Sequence, residues 1–279
     1  MSDGKLFISV MGMVPKKRLS KTVRSLTKVR SQMAVRRFAA RYGINLDEAE
    51  KPIEDYPCIL DLFTRRLKPG VRPLDPDPKR MLSPVDGTYD ARGDIEDGTL
   101  LQAKGREYSL AAMLADEDEA AHYEGGRYAT LYLAPKDYHR IHSPISAKVT
   151  GYTYVPGELH PVNPAAVRHV DSLFAVNERL ITHLVSDTFG KMALVMVGAT
   201  NVGHMKLMYD DRVQTNMGAS KIDKHVYEEP KYLERGDELG VFEMGSTVVL
   251  ITEARVCLSD MPIKTPVKMG QSLGALTAG

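Results

Sequence analysis

A Gly-Ser-Thr tripeptide, Gly245-Ser246-Thr247, interrupts an otherwise apolar stretch over residues 241–251. A serine hydroxyl is a weak nucleophile until a base is placed against it. The carbonyl nearest to Ser246 is that of Gly245, its own predecessor. Reaching it requires backbone bent out of ordinary strand geometry, which glycine permits while placing no side chain over the carbonyl. Attack gives an N→O acyl shift and an ester; elimination across Cα–Cβ of Ser246 and hydrolysis then leave a pyruvoyl group. The same stretch also reads as two strands, 241–243 and 247–251, joined through a glycine bulge or turn, and nothing local demands more.

Self-cleavage of that kind needs a proton acceptor. Asp137-Tyr138-His139-Arg140-Ile141-His142-Ser143-Pro144 is the most polar cluster of the β-rich part of the chain, and histidine is the natural shuttle near neutral pH. At spacing i, i+3, His139 and His142 could share a helix face, but Pro135 and Pro144 bracket the segment and shorten any helix. On a short strand the two would point to opposite faces, so both reach one site only if a turn intervenes. A zinc reading needs a third ligand at defined spacing; His160, His169 and His183 are available, but no recognisable metal motif joins them. Ser83-Pro84-Val85-Asp86-Gly87 offers an aspartate, in what also reads as an ordinary Asp-Gly turn. Around Ser246 there is no GxSxG elbow, and the chain has no P-loop or dinucleotide fingerprint.

The elements that must position these residues fall into two regions. Residues 17–42 read as a helix, with Leu19, Val23, Leu26, Val29 and Met33 at steps of three and four and Gly43 as C-cap. Shorter helices are expected at 46–49 and 59–67. No acidic residue lies between Asp3 and Asp47, while ten Lys and Arg, from Lys16 to Arg41, do. An acid-free basic amphipathic helix suits a membrane surface; it equally suits packing on its own domain with a solvated basic face. From residue 81 the chain becomes β-rich, with strands expected at 81–89, 100–103, 128–133, 147–155, 173–176, 180–185, 192–197, 205–209 and 239–242. A short helix at 109–114 has Ser109 as N-cap, and 116–119 reads as an acidic loop. The fold class expected is α+β: a mainly antiparallel β domain, sandwich- or barrel-like, over 71–279, behind an N-terminal helical membrane-associating arm over 1–70.

The formal charge of +1 argues against nucleic acid as a partner. The two cysteines, Cys58 and Cys257, fit a reducing compartment and supply no disulfide framework. No apolar run approaches the roughly 18–20 residues of a spanning helix. No secretory signal is expected either, since the basic cluster follows the apolar residues 6–14 instead of preceding them.

Taken together, Ser83-Pro84-Val85-Asp86-Gly87, the run from Tyr132-Leu133-Ala134-Pro135-Lys136 through His139 to His142, and Met244-Gly245-Ser246-Thr247 resemble the phosphatidylserine decarboxylases. Leu101-Gln102-Ala103-Lys104-Gly105, Tyr154-Val155-Pro156-Gly157-Glu158-Leu159 and Val197-Gly198-Ala199-Thr200 extend the resemblance, in the family's order, over nearly the whole chain. Met244 stands where the bacterial motif usually has leucine, a volume-conserving change. The resemblance implies self-cleavage between Gly245 and Ser246 into chains 1–245 and 246–279, with Ser246 becoming the pyruvoyl cofactor and no metal required. It assigns Asp86 and His142 to the relay that activates Ser246, and His139 to decarboxylation. It further implies a Schiff base with phosphatidylserine in an anionic membrane surface, release of phosphatidylethanolamine, a dimer of cleaved protomers, and a peripheral location on the cytoplasmic face of the cell membrane. Two other classes would keep the chain intact: a Ser-His-Asp hydrolase using the same three residues, and a non-catalytic membrane-binding β domain. The turns also resemble lipoyl-type domains, but no matching lysine lies at 244–247.

Overall fold

The computed structural model describes residues 16–101, 107–162, 167, 169–200, 204–215, 221–244 and 247–277. Helices α1 (Lys16–Thr27), α2 (Gln32–Tyr42) and α3 (Ile59–Phe63) lead the chain. The continuous helix expected over 17–42 is therefore two. Ser31 turns extended and its hydroxyl accepts the Ala34 amide, so a new helix starts there. The apolar spacing runs through the break, and spacing alone does not show it. Gly43 closes α2 as expected, left-handed at φ 67° with its N–H on the Ala39 carbonyl. Val35, Ala39, Ile44, Ala49, Tyr56 and Leu62 make a small core of their own. Residues 46–49 form a turn and not a helix, tied by a bridge from Ala49 to Leu67.

The rest is β-rich. In order come β1 (Arg80–Leu82), β2 (Gly87–Asp94), β3 (Thr99–Leu101), β4 (Glu107–Ser109), α4 (Leu110–Leu114), α5 (Glu117–Ala121), β5 (Arg127–Tyr132), β6 (Arg140–His142) and β7 (Ala147–Val155). Then follow α6 (Leu173–Val176), β8 (Arg179–Ser186), β9 (Gly190–Val197), β10 (Met205–Leu207), β11 (Asp223–Leu233), β12 (Glu238–Phe242), β13 (Thr247–Thr252), β14 (Val256–Leu258), β15 (Pro266–Val267) and β16 (Ser272–Leu276). The main sheet has eight strands in the order β11-β7-β8-β9-β13-β5-β2-β15, and two three-stranded sheets, β1-β16-β14 and β10-β12-β6, accompany it. Every strand pairing among the described residues is antiparallel. β13 lies between β5 and β9 and is buried along its whole length, which is why its sequence is a solid apolar run and not an alternation.

Several local expectations change. The strand expected over 81–89 breaks at 83–86, where Ser83 N–H turns to the Gln271 carbonyl and Leu82 N–H to Pro144. Residues 173–176 are helical, capped by Asn177, since a four-residue apolar run does not distinguish helix from strand. Asp116 is an N-cap, its carboxylate accepting the Glu119 amide, so the acidic loop is the start of α5. Residues 223–233, where no strand is expected from the sequence, form β11, the longest strand among the described residues and an edge of the main sheet.

Candidate active site

Strand register gathers the motif residues at one end of the main sheet. Thr88 pairs with Tyr132, Tyr132 with Thr247, Thr247 with Val197, Val197 with Arg179, and Arg179 with Val155. That row is the entry to β2, the exit of β5, the entry to β13, the exit of β9, the entry to β8 and the exit of β7. The segments that hold Asp86, His139 and His142, Gly198 and Gly157 therefore all leave the sheet at the end where the chain enters β13 at Thr247. Gly245 and Ser246 lie outside the described residues; Met244 and Thr247 flank them. Gly87 is needed for the close approach, because a Cβ there would lie 2.6 Å from the Tyr132 carbonyl oxygen.

Asp86 is buried, and its oxygens accept from Arg72 Nε (2.9 Å) and Nη2 (2.6 Å), Lys268 Nζ (3.1 Å) and the Met269 amide (2.9 Å). Burial alone would raise its pKa; the Arg72 and Met269 hydrogen bonds and the charges of Arg72 and Lys268 more than offset this and lower it. His142 is joined to the same loop through its backbone, donating N–H to the Pro84 carbonyl at 2.9 Å. Its ring, however, bonds elsewhere. Nδ1 lies 2.7 Å from the Gly236 carbonyl and must carry the proton, since a carbonyl only accepts. Nε2 is then the lone-pair nitrogen, and the Tyr138 hydroxyl donates to it at 3.0 Å. Gly236 and Tyr138, and not Asp86, hydrogen-bond this imidazole, and Asp86 acts on it as a nearby charge. Burial lowers the His142 pKa, against opposing contributions from the Gly236 bond and the charges of Glu238 and Asp86.

The turn that could bring both histidines to one site lies at 135–137, before His139; His139 runs directly into β6, its carbonyl accepting from the Phe242 amide at 3.0 Å, so no turn intervenes between the two histidines. His139 is fully buried, with Nδ1 at 2.8 Å from the Asp137 carbonyl and Nε2 without a hydrogen-bond partner among the described residues. Burial brings its pKa down to about 3, so its ring is neutral at physiological pH. Phe63 at the end of α3 covers it, ring centroids 3.9 Å apart. Arg65 Nη2 donates to the Lys136 carbonyl at 2.9 Å and Arg140 Nε to the Thr64 carbonyl at 2.9 Å, clamping the histidine segment to the N-terminal helices. His183 does not join them; its ring goes to Thr153 on β7 and to Glu119.

Sequence reasoning passed over Phe63 and Arg65, which carry no motif signal of their own, and gave no role to Tyr138, which lies inside the histidine motif. It also passed over Asn177, whose side chain ties the His160 backbone to the Gly198 carbonyl across the same sheet end. Buried Arg179 likewise donates to the Met113 and Ala175 carbonyls, both at 2.6 Å; a charged residue opening a long apolar strand was the available sign.

The sequence profile of the phosphatidylserine decarboxylases matches residues 59–275. The chain belongs to the phosphatidylserine decarboxylase family. It is 48% identical to the phosphatidylserine decarboxylase proenzyme of Anaeromyxobacter sp. (strain K), over 98% of this chain and 99% of the relative. The proenzymes of Myxococcus xanthus (45% identical, 97% and 98%) and Brevibacillus brevis (41% identical, 96% and 95%) are similar over comparable spans. The family profile begins at Ile59, the first residue of α3, so the element that covers His139 falls inside it. Among the described residues no helix is long and apolar enough to cross a membrane.

Proposed function

We infer that this chain is a proenzyme that cleaves itself at Gly245-Ser246 and then decarboxylates phosphatidylserine to phosphatidylethanolamine. The observation that carries the reading is the row of paired residues from Thr88 to Val155, which brings the Asp86, His142 and Thr247 segments to one end of one sheet. Family membership and the relatives' names as proenzymes support it. In maturation His142 is the base: its neutral Nε2 takes the Ser246 proton by way of the Tyr138 hydroxyl, which accepts one proton as it gives up its own. Asp86, with Glu238, favours the imidazolium that forms.

A pyruvoyl group at position 246 fits what surrounds it. Thr247 Oγ1 and His139 Nε2 are buried polar atoms with no hydrogen-bond partner among the described residues, ready to address a polar group. Such a group supplies an electron sink for the pair left when CO2 departs. His139, neutral with Nδ1–H held by Asp137, presents an accepting Nε2. Through that nitrogen it can hold and deliver the proton that goes to the carbon losing CO2.

The arm supports a peripheral place on the cytoplasmic membrane face, with α1 and α2 as part of a 1–70 unit ahead of the catalytic 71–279 region and, as the resemblance implies, in a homodimer. Leu26, Val29 and Met33 are exposed across the α1–α2 junction among Lys28, Arg30, Arg36 and Arg37, which suits an anionic bilayer. Intact mass under denaturing conditions tests the core of the reading. Active protein is expected as chains 1–245 and 246–279 with a blocked small-chain N-terminus, and Ser246→Ala and His142→Ala as single chains. Active wild-type protein with an intact chain would overturn it, and would favour a hydrolase.

A further inference from the structure

Just before the cleavage site lies a charged cluster that maturation does not use. Glu243, two residues before Gly245, is buried, and its carboxylate meets Arg24 Nε from α1 at 2.6 Å and Lys206 Nζ from β10 at 2.7 Å. Its backbone N–H donates to the His204 carbonyl at 2.9 Å, and the His204 ring stands alongside, Nδ1 3.7 Å from the carboxylate. That Nδ1 is the anomaly. The His204 side chain is only 5% exposed, yet Nδ1 has no hydrogen-bond partner among the described residues. A buried ring nitrogen left unsatisfied is unfavourable, and the cluster holds two full positive charges, with Lys28 acting on His204 as well, against one negative. It is short of one carboxylate.

Self-cleavage makes one at this place. Ser246 Oγ bonds to the Gly245 carbonyl carbon as the C–N bond breaks, giving the ester. Loss of the Ser246 α-proton with rupture of the Cβ–Oγ bond then releases Gly245 as a free carboxylate. Water finally displaces the exposed nitrogen as ammonia. We propose that His204, Arg24 and Lys206 form the receiving site for the carboxylate that self-cleavage leaves on Gly245. This rests on the assignment of Gly245-Ser246 as the cleaved bond. Two residues of chain span at most about 7 Å, so a terminus hinged at Glu243 stays within reach of His204. Docking there satisfies Nδ1, balances the cluster, and holds the new C-terminus of the large chain clear of residue 246, where the substrate amine must enter. Burial together with Arg24 and Lys206 keeps the His204 pKa at about 4 before cleavage, despite Glu243. A second carboxylate beside the ring raises it.

The test reads the terminus directly. Mature enzyme is treated with a broad-specificity carboxypeptidase and the mass of the large chain followed over time. The wild-type large chain is expected to keep Gly245, while Arg24→Gln/Lys206→Gln loses Gly245 and then Met244 at least tenfold faster. His204→Asn, which leaves both ion pairs intact, is expected to lie between and covers the event that the double variant fails to fold. As a second readout, the His204 imidazole titrates at higher pH in mature enzyme than in uncleaved Ser246→Ala. Equal trimming in all three proteins would overturn the proposal. If no large chain ending at Gly245 exists before protease is added, the cleavage assignment has failed and not the docking site.

Discussion

Asp86→Asn separates the part Asp86 plays in stability from the part it plays in maturation. The Asp86 side chain is 2% exposed and meets Arg72, itself 7% exposed, at 2.6 Å. Removing one partner of a buried pair costs about 3–5 kcal/mol. Two features reduce that here: Arg72 keeps Glu48 at 2.6 Å, and Lys268, half exposed, can turn to water. Asparagine can still accept from the Met269 amide, but its NH2 faces donors. The expected loss is therefore about 2–4 kcal/mol, or about 3–7 °C in Tm for a protein of this size. Both variants carry Ser246→Ala, so that uncleaved chains are compared, and unfolding is followed from pH 7 downward. The folded pKa of Asp86 is lowered, so its stabilisation is present in full above the unfolded value near 4 and is lost as pH falls through the folded value. The gap between the variants is thus constant from pH 7 to about 5 and closes in stronger acid. No gap at pH 7, or one that persists unchanged as the pH falls far below 4, would refute the assignment of this network as a buried ion pair.

Two further outcomes follow from the same geometry. His139→Ala is expected to cleave normally and lose about 10²–10⁴-fold in decarboxylation; near-normal turnover by the cleaved variant would remove His139 from the reaction, and failure to cleave would place it in maturation. Leu26→Glu/Met33→Glu, at two exposed apolar positions of the arm, is expected to abolish most co-sedimentation with phosphatidylserine vesicles while leaving cleavage intact; unchanged sedimentation would show that this face is not the anchor.

What was legible in the sequence depended on whether the signal was local. β7 is found at the bounds expected because its alternation is continuous. The Gly43 cap and the Ser109 cap were legible for the same reason: each is one residue with one conformational role. The break at Ser31 was not, because Ser31 caps without interrupting the apolar spacing. β11 was hidden by composition: its run Glu228-Glu229-Pro230 is what an edge strand uses to discourage further pairing, and it reads as a loop. At the site, the motifs identified Asp86, His139 and His142, yet the partners that set their states come from distant segments. Phe63 lies 76 positions before His139, and Gly236 94 after His142. No spacing rule connects them.

The arrangement around His142 shows what a resemblance carries and what it does not. Residue identity is what the resemblance carries, and it is the ground on which Asp86, His142 and Ser246 are proposed as the relay. The hydrogen bonds among them are a property of this fold. In the uncleaved chain Asp86 is committed to Arg72, Lys268 and the Met269 amide, whereas the imidazole is fixed by a carbonyl and a tyrosine hydroxyl. A base oriented by a neutral carbonyl needs no adjacent carboxylate to choose its tautomer: Nδ1–H on Gly236 already leaves Nε2 free to accept. The work left to Asp86 is electrostatic, and it is shared with Glu238, whose strand pairs directly with His142. On the proposed assignment, loss of Asp86 is expected to act on cleavage through the imidazolium that must form, and not through the direction in which the ring points.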